Sequence, residues 1–397
     1  MLQVGVGQST RQDTAQAAAE AAAQAVRQSG AARSDLTLLF ATSGHAERYE
    51  EMVRMVRDVT HARALVGCSG LGVLSTAGEI ESASGVSVMS LSGEGLQVVP
   101  FLVRGLEDDA REVGREIGRQ IKASLRPGSL LLLFPDSLHA NLNPVFDGLR
   151  EEAGYVPAVG GGAATDPQQG KTYQFCGAEV ANDAVSGALL SGPFEASIEV
   201  TQACQPLGTP RAVTRADRNR ILEIEGKRAL DVVAELLGPV LRENLERVAR
   251  FVFFGLPLVP EQRDFQRGEF VVRPLVGIDL ASGALILPQA VLQGQVVQIL
   301  LREPDGARQD LKSMLDEQAR RHEGRPPQLG FYFNCCARGT SLYGIPEIDL
   351  HYIKYVFGDL PLIGFFGNAE IAPVRGINVL HQHTGVLALL SEPPATH

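Results

Sequence analysis

The chain has 397 residues, of which 45% are hydrophobic and 21% charged, a composition typical of a globular protein with two domains. The net charge of −10 and the lack of a Lys/Arg cluster disfavour nucleic-acid binding. Five cysteines without a CxxC pair predict neither a structural zinc site nor a disulfide framework. No apolar run approaches the roughly 20 residues that cross a bilayer, and the N-terminus has no secretory signal pattern. We therefore expect a cytoplasmic protein with reduced thiols and no membrane partner.

The first predicted elements are a strand at residues 2–6 and an Ala-rich helix at residues 13–28. Ser9 and Thr10 are the candidate N-caps of this helix, and Gly30 is expected to end it.

A unit of strand, helix, glycine-bearing strand and outgoing strand then recurs along the chain. Copies span residues 36–91, 130–190 and 329–390, and residues 251–300 resemble a degenerate copy. This repetition indicates a duplication into two similar halves of two units each, with helices covering the sheets. Because the outgoing strands can run antiparallel, we predict an α/β fold with mixed sheets, with α+β as the alternative. The predicted domains are residues 1–212 and 213–392, followed by a frayed tail at 393–397.

Each copy carries a predicted glycine turn after a strand, at residues 67–70, 160–162 and 364–367. Successive backbone N–H groups in such turns can cradle an anion or a carboxylate. Alternatively, the glycines only allow the backbone to adopt positive φ angles or to pack closely. The recurrence favours a ligand-facing rim. None of these segments is a P-loop or a GxGxxG motif, so we predict no nucleotide cofactor.

Cys335 and Arg338 follow the strand at residues 329–333, at the strand end where α/β proteins usually bind ligands. Arg338 can hold a ligand carboxylate, or it can pair with Glu347 or Glu370. Cys335 can be a ligand contact, a redox-sensitive thiol, a nucleophile or a small buried hydrophobe.

Glu370 lies in an apolar, glycine-rich stretch, where a carboxylate is costly to bury unless it is paired. It can bind a ligand amine, pair with Arg338 or lie in solvent. Glu79 follows the first glycine turn as Glu370 follows the last, and this correspondence favours a role for the acid. His381 and His383 complete no ligand set, so we predict a hydrogen-bonding or core histidine and no metal.

Several segments, in this order, resemble the FIST domain family (F-box and intracellular signal transduction proteins). The likeness covers nearly the whole chain and carries specific motifs. Ala337 and Ala369 stand where the family has glycine, so each adds a methyl group. The similar segments are residues 66–69 (V-G-C-S), 77–80 (A-G-E-I), 157–163 (like P-V-V-G-G-x-A), 333–339 (like F-x-C-x-G-R-G), 364–371 (like G-F-x-x-x-G-E-I) and 380–384 (like L-H-x-x-T).

The resemblance implies an intracellular sensor of the stand-alone bacterial type, with a FIST N and a FIST C half. It implies a small-molecule ligand, for which amino acids are proposed, and we expect no cofactor. The chain leaves no room for an output domain, so we expect an unknown signalling partner or a change in oligomeric state. The expected ligand-binding residues are Cys68, Ser69, Glu79, Gly160, Gly161, Cys335, Arg338, Asn368, Glu370, His381 and Thr384.

Three hypotheses for the function follow. The primary one is a cytoplasmic small-ligand-binding sensor, in which Arg338 takes a carboxylate and Glu370 and Glu79 take an amine. The second is an enzyme that uses Cys335 or Cys68 with His381. The third is an interaction scaffold in which the glycines serve only packing. Because the sensor hypothesis is the primary one, we consider an enzyme less favoured and assign no catalytic residue.

Overall fold

The computed structural model describes residues 2–138, 141–237, 251–259, 262–263, 265 and 269–393. The described strands form four sheets, and three of these combine parallel with antiparallel pairs. Helices pack on the sheets, which confirms the predicted α/β class with mixed sheets.

Two compact units divide the chain. The first contains Met1–Val200, Lys312–Leu380 and Thr384–His397, and the second contains Thr201–Leu311 and His381–His383. The predicted domain boundary after residue 212 falls inside the second unit, so the units and the predicted domains divide the chain differently. The predicted frayed tail lies, from residue 394 onward, outside the described residues.

Three six-stranded sheets with one common plan build the first unit. The first sheet has the order β1 (Leu2–Ser9), β6 (Val86–Gly93), β2 (Leu36–Thr42), β3 (Ala64–Gly70), β10 (Gln174–Cys176) and β11 (Glu179–Ala181). The second has the order β7 (Gln97–Arg104), β12 (Ala184–Ser191), β8 (Leu130–Pro135), β9 (Ala158–Gly162), β25 (Ala369–Val374) and β26 (Ile377–His381). The third has the order β13 (Glu195–Gln202), β27 (Thr384–Ser391), β23 (Leu329–Cys335), β24 (Leu362–Gly367), β4 (Gly72–Ser75) and β5 (Gly78–Glu81).

The last two strands of each sheet come from another copy of the repeat. We define repeat one as β1–β6, repeat two as β7–β12 and repeat three as β13 with β23–β27. The hairpin β4–β5 of repeat one joins the sheet of repeat three, β10–β11 of repeat two joins repeat one, and β25–β26 of repeat three joins repeat two. The three repeats therefore exchange hairpins in a closed ring. Each exchanged hairpin is hydrogen-bonded to the sheet of the other repeat. The paired residues include Leu74 with Gly364, Phe175 with Gly67 and Ile371 with Gly160.

The described helices include α1 (Thr14–Ser29), α2 (Tyr49–Thr60), α3 (Ala110–Lys122), α4 (Asn143–Ala153), α5 (Ala229–Leu237), α6 (Pro304–Arg321), α7 (Thr340–Tyr343) and α8 (Ile348–Phe357). The N-cap of α1 is Asp13, whose side chain accepts a hydrogen bond from Gln16 N at 2.9 Å. The predicted caps Ser9 and Thr10 are wrong, because β1 extends through Ser9 and the chain turns only after it. Gly30 ends the helix in the left-handed conformation, as predicted.

Phenylalanines from the central strands of the three repeats meet in one core. The ring centroids of Phe40 and Phe134 lie 5.2 Å apart, those of Phe134 and Phe333 lie 5.8 Å apart, and those of Phe40 and Phe333 lie 6.3 Å apart. All three pairs pack edge-to-face, an arrangement worth about 0.5–1.5 kcal/mol per pair beyond burial. This cluster joins the three sheets of the first unit.

The predicted glycine turns are strands, and this expectation is therefore wrong. Residues 67–70, 160–162 and 364–367 belong to β3, β9 and β24. A Cβ at Gly67, Gly160 or Gly364 would lie 1.8, 1.9 or 1.7 Å from a carbonyl oxygen of the neighbouring parallel strand. Glycine at these three equivalent positions thus permits the close approach of two backbones, which is the packing role that the sequence left open.

A nine-stranded sheet forms the second unit and holds the predicted degenerate copy at residues 251–300. In the described part of that copy, β18 pairs antiparallel with both β19 and β22, whereas each of the other three copies contains a parallel pair. The strands of this sheet are β14 (Cys204–Pro206), β15 (Arg211–Asp217), β16 (Arg220–Ile224), β17 (Lys227–Arg228), β18 (Val252–Pro257), β19 (Phe270–Pro274), β20 (Gly277–Asp279), β21 (Ala284–Ile286) and β22 (Val296–Arg302).

Candidate functional site

Glu370 is the centre of the first group of predicted site residues. It lies on β25 opposite Gly161 of β9, and its side chain has no exposed surface. Its Oε2 accepts hydrogen bonds from the backbone N and the Oγ1 of Thr384, at 3.2 and 2.6 Å. Within the described part of the chain, no nitrogen or oxygen hydrogen-bonds to the other oxygen, Oε1. Oε1 is thus buried without a nitrogen or oxygen partner, and the one further side-chain hydrogen bond of this carboxyl group is to Cys335.

The surroundings of Glu370 favour its neutral form. Burial raises the pKa of Glu370 well above its ordinary value, and the nearby Cys335 raises it further. The hydrogen bonds from Thr384 lower the pKa but do not outweigh burial. The folded environment of Glu370 therefore favours the protonated carboxyl group over the carboxylate.

Two more predicted residues lie at the strand ends next to Glu370. Cys335 is the last residue of β23, is buried and pairs in register with Gly367. Asn368 connects β24 to β25, and its Nδ2 donates a hydrogen bond to the carbonyl oxygen of Ala163 at 3.2 Å. The structure therefore brings Cys335, Glu370 and Thr384 together, and Asn368 lies two residues before Glu370 in the chain.

Gly160 and Gly161 are close to this group but have a packing reason of their own. Gly160 faces the carbonyl oxygen of Leu133, as described above. A Cβ at Gly161 would lie 3.1 Å from the ring of Phe365, so the missing side chain leaves space for that ring. Gly161 lies opposite Glu370 in the β9–β25 pair, and Gly160 lies opposite Ile371.

Arg338 forms a second polar cluster, centred on Asp349 of α8. Both side chains are buried, and the Arg338 Nε and Nη2 atoms donate to Asp349 Oδ2 and Oδ1 at 2.9 and 3.0 Å. The hydroxyl groups of Tyr332 and Tyr343 donate to the same carboxylate, each at 2.7 Å. Asn334 Nδ2 donates a further bond at 3.2 Å. Arg338 and Asp349 thus form a buried, bidentate, charge-assisted ion pair.

The partner of Arg338 is thus Asp349 instead of the expected Glu347 or Glu370. Burial alone would raise the pKa of Asp349, but the charge of Arg338 and the surrounding hydrogen bonds hold it below its ordinary value. The remaining nitrogen, Arg338 Nη1, is buried and has no hydrogen-bond partner among the residues that the structure describes.

Glu79 lies beside this second cluster. Its Oε2 accepts from Glu347 N at 2.8 Å, and Glu347 Oε1 accepts from Glu79 N at 3.3 Å. Burial, followed by the charge of Asp349, raises the pKa of Glu79 to about 8. The expected correspondence with Glu370 is wrong, because Glu79 lies on the second strand of its hairpin and Glu370 on the first. The register places Val73 at the position equivalent to Glu370.

The remaining predicted residues lie elsewhere. Cys68 on β3 is fully buried, and burial raises the pKa of its thiol well above the ordinary value, which argues against a thiolate nucleophile. Ser69 Oγ accepts a hydrogen bond from Tyr173 N at 3.0 Å. His381 is fully buried at the end of β26 and is grouped with the second unit.

The sequence reasoning missed the residues that hold Arg338. Asp349 was recognisable in principle, since it is the one acidic residue among residues 348–357 and has apolar neighbours. The two tyrosines gave no signal, because Tyr332 lies in an apolar strand, where a tyrosine is ordinarily a packing residue, and Tyr343 lies in a short helix without a recognisable pattern. In the described ranges, no group of three or more His, Cys, Asp or Glu could hold a metal ion. No described helix is long and apolar enough to span a bilayer.

The chain matches two family models and several uncharacterised proteins. The sequence model of the FIST N domain matches residues 35–227, and that of the FIST C domain matches residues 229–373, in line with the two predicted halves. An uncharacterised protein of Mycobacterium tuberculosis is 29% identical over 388 residues, which cover 98% of this chain and 99% of that protein. An uncharacterised protein of Mycobacterium bovis is 28% identical over 388 residues, which cover 98% of each.

More distant proteins also match. An uncharacterised protein of Methanocaldococcus jannaschii is 22% identical over 296 residues, or 69% of this chain and 54% of that protein. Among solved structures, a cyanuric acid hydrolase gives a TM-score of 0.38 at 9% identity, with 99% of this chain and 100% of that chain covered. A likeness this distant carries no argument about function.

Proposed function

The chain belongs to the FIST family of signal-transduction sensor domains, and on this premise we propose that it is a sensor for a small amine-bearing ligand. The ligand binds at Glu370 and is amino-acid-like. The observation that carries the proposal is the fully buried carboxyl group of Glu370, whose Oε1 has no nitrogen or oxygen partner in the described part of the chain. A buried acid with a perturbed pKa is a group that proteins keep mainly at functional sites.

The chemistry of Glu370 favours an ammonium group as its partner. An opposite charge within about 4–6 Å stabilises the ionised form of a carboxyl group. An ammonium beside Oε1 would therefore displace the proton of Glu370 and form a charge-assisted hydrogen bond. Thr384 already donates two bonds to Oε2, and both stabilise the ionised form.

Arg338 is the proposed partner for a carboxylate on the same ligand. Asp349 occupies the Nε and Nη2 atoms and fixes the plane of the guanidinium group. The buried Nη1 atom then remains as the donor for the ligand. One donor for a carboxylate and one acceptor for an amine match an amino acid.

Ligand entry would require a conformational change. Neither Glu370 nor Arg338 has exposed surface, so we propose that the turn at residues 336–339, between β23 and α7, moves to admit the ligand. A movement coupled to ligand binding is what a sensor in the cytoplasm needs to signal to a partner protein.

Calorimetric titration with the amino acids and with their decarboxylated amines tests the proposal. Each titration is run at pH 7 in two buffers of different ionisation enthalpy, so that proton release is measured with binding. Because an ammonium group beside Glu370 favours its ionised form, we expect binding to release protons. Binding without proton release would contradict the assignment of Glu370.

Glu370→Gln and Glu50→Gln form the matched pair of variants. Each replaces one carboxylate with an amide, but Glu50 lies exposed on α2. Glu370→Gln should abolish the proton release and weaken binding at least about tenfold, the change expected for one hydrogen bond to a charged group. Glu50→Gln should behave as the original protein. Unchanged binding by Glu370→Gln would place the ligand elsewhere.

A further inference from the structure

A cavity of about 300 Å³ opens at the carboxyl end of β2, and no residue of the Glu370 site lines it. Ligands of open α/β sheets bind at this end of the strands. The volume is at the lower end of the range for small-molecule pockets. Polar side chains form most of its wall, among them Gln12, Thr14, Ser43, His45, Arg48 and Gln169.

His45 is the buried group of this wall. The 3-10 helix Ser43–Arg48 follows β2 directly and turns the imidazole inward, where the residue is 1% exposed. Its Nδ1 lies 3.0 Å from Oγ1 of Thr14, the first residue of α1. Its Nε2 is buried and has no hydrogen-bond partner among the described residues. A buried imidazole nitrogen in this state calls for an external partner.

The charges around the cavity favour a cation over an anion. Arg48 pairs with Asp13 at 3.5 Å and with Glu51, so its single positive charge faces two carboxylates. Glu47, also in the cavity wall, adds another negative charge. Burial lowers the pKa of His45, although Asp13 acts in the opposite direction, so the environment favours the neutral imidazole.

We infer that this cavity is a second binding site, which takes a small organic ammonium ion whose N–H group donates to Nε2 of His45. The arrangement requires the tautomer in which Nδ1–H donates to Thr14 Oγ1 and Nε2 carries the lone pair. Glu47 faces the bound cation from the cavity wall. The inference goes beyond the proposed function, because it concerns different residues and a ligand without a carboxylate.

Nuclear magnetic resonance of the full chain, labelled with 15N at histidine, tests this inference. Methylammonium is the probe and acetate is the anionic comparison. The free protein should show the Nδ1–H tautomer at His45. Methylammonium should shift the Nε2 resonance saturably at roughly 10–100 mM, the range that corresponds to about 1.5–3 kcal/mol for one hydrogen bond to a charged group. The Nε2–H tautomer, a response to acetate alone, or no response to either ion would overturn the inference.

Three variants sharpen the test. His45→Gln identifies the His45 resonance, and its methylammonium binding should weaken about tenfold or more, the change for one hydrogen bond to a charged group. His351→Gln, at an exposed histidine of α8, should keep the full response. Glu47→Gln leaves the imidazole in place and should weaken binding up to about fivefold, as for an exposed ion pair. Equal affinity in His45→Gln and in His351→Gln would overturn the inference.

The two sites can fail separately. Glu370→Gln should lose the calorimetric proton release and keep the His45 resonance shift. His45→Gln should lose the methylammonium response and keep the proton release with amino acids. Loss of the His45 response in Glu370→Gln would mean that the two sites are not independent, which would overturn the inference of a separate site.

Discussion

Glu79→Gln should change how the stability of the protein depends on pH. The pKa of Glu79 is raised from 4.5 to about 8, chiefly by burial and then by the charge of Asp349. The native state therefore favours the protonated side chain. The stabilisation from Glu79 is fully present below pH 4.5 and is lost as the pH rises towards 8. A glutamine has no such proton to lose.

The pKa values set the size of this effect. The pKa difference between 8 and 4.5 is about 3.5, and one pKa unit corresponds to about 1.36 kcal/mol. The original protein should thus lose up to about 5 kcal/mol between pH 4.5 and pH 8 through Glu79 alone. Because the residue is only partly buried, we expect at least about 2 kcal/mol of this loss to be measured.

Urea denaturation at several pH values from 4.5 to 9 measures the effect. The difference in unfolding free energy between Glu79→Gln and the original protein should rise with pH in favour of the variant. Titrating groups that do not interact with Glu79 cancel in this difference. Glu94→Gln, at an exposed position, is the matched control and should show no such rise. A difference for Glu79→Gln that stays constant over the whole range would refute the reasoning.

Three further predictions concern the buried groups. Asp349→Ala should lower the unfolding free energy by about 3–5 kcal/mol in urea denaturation, because Arg338 keeps a buried charge without its partner; a loss below about 1 kcal/mol would contradict this. Gly364→Ala should lower the melting temperature in calorimetry, since its Cβ would lie 1.7 Å from the carbonyl oxygen of Tyr332; an unchanged melting temperature would show that the strands can separate freely. Glu370→Gln should gain stability relative to the original protein as the pH rises above 4.5, because the pKa of Glu370 is raised; a parallel pH dependence of the two proteins would speak against a neutral Glu370.

Much of the fold could be predicted from local pattern. The central strands β2, β8 and β23 coincide with apolar runs, and their length and flanking residues distinguish them from helices. Gly30 ends α1 because a left-handed residue after a helix is ordinarily glycine. The exchange of hairpins could not be predicted, since the sequence of β4–β5 carries no local sign of which sheet it joins. Pairing across repeats depends on tertiary packing.

In the candidate site, too, some residues could be predicted from the sequence and others could not. Glu370 stood out because a lone acid in an apolar stretch is an energetic anomaly that a sequence displays directly. Asp349, the partner of Arg338, did not stand out in the sequence. It lies eleven residues from Arg338 on a helix whose orientation a sequence does not give. His45 gave no signal either, because it is one of eight histidines and its burial arises only from the turn after β2.

The ring of exchanged hairpins has a consequence for the synthesis of the chain. Leu74 of β4 pairs with Gly364 of β24, which lies 290 positions further along the chain. At a translation rate of about 5–20 residues per second, β4–β5 waits roughly 15–60 seconds on the ribosome before its sheet exists. During this time the hairpin presents unpaired backbone edges, which are templates for aggregation. Production of this protein should therefore depend on chaperone supply and on slow expression more than the stability of the finished fold suggests.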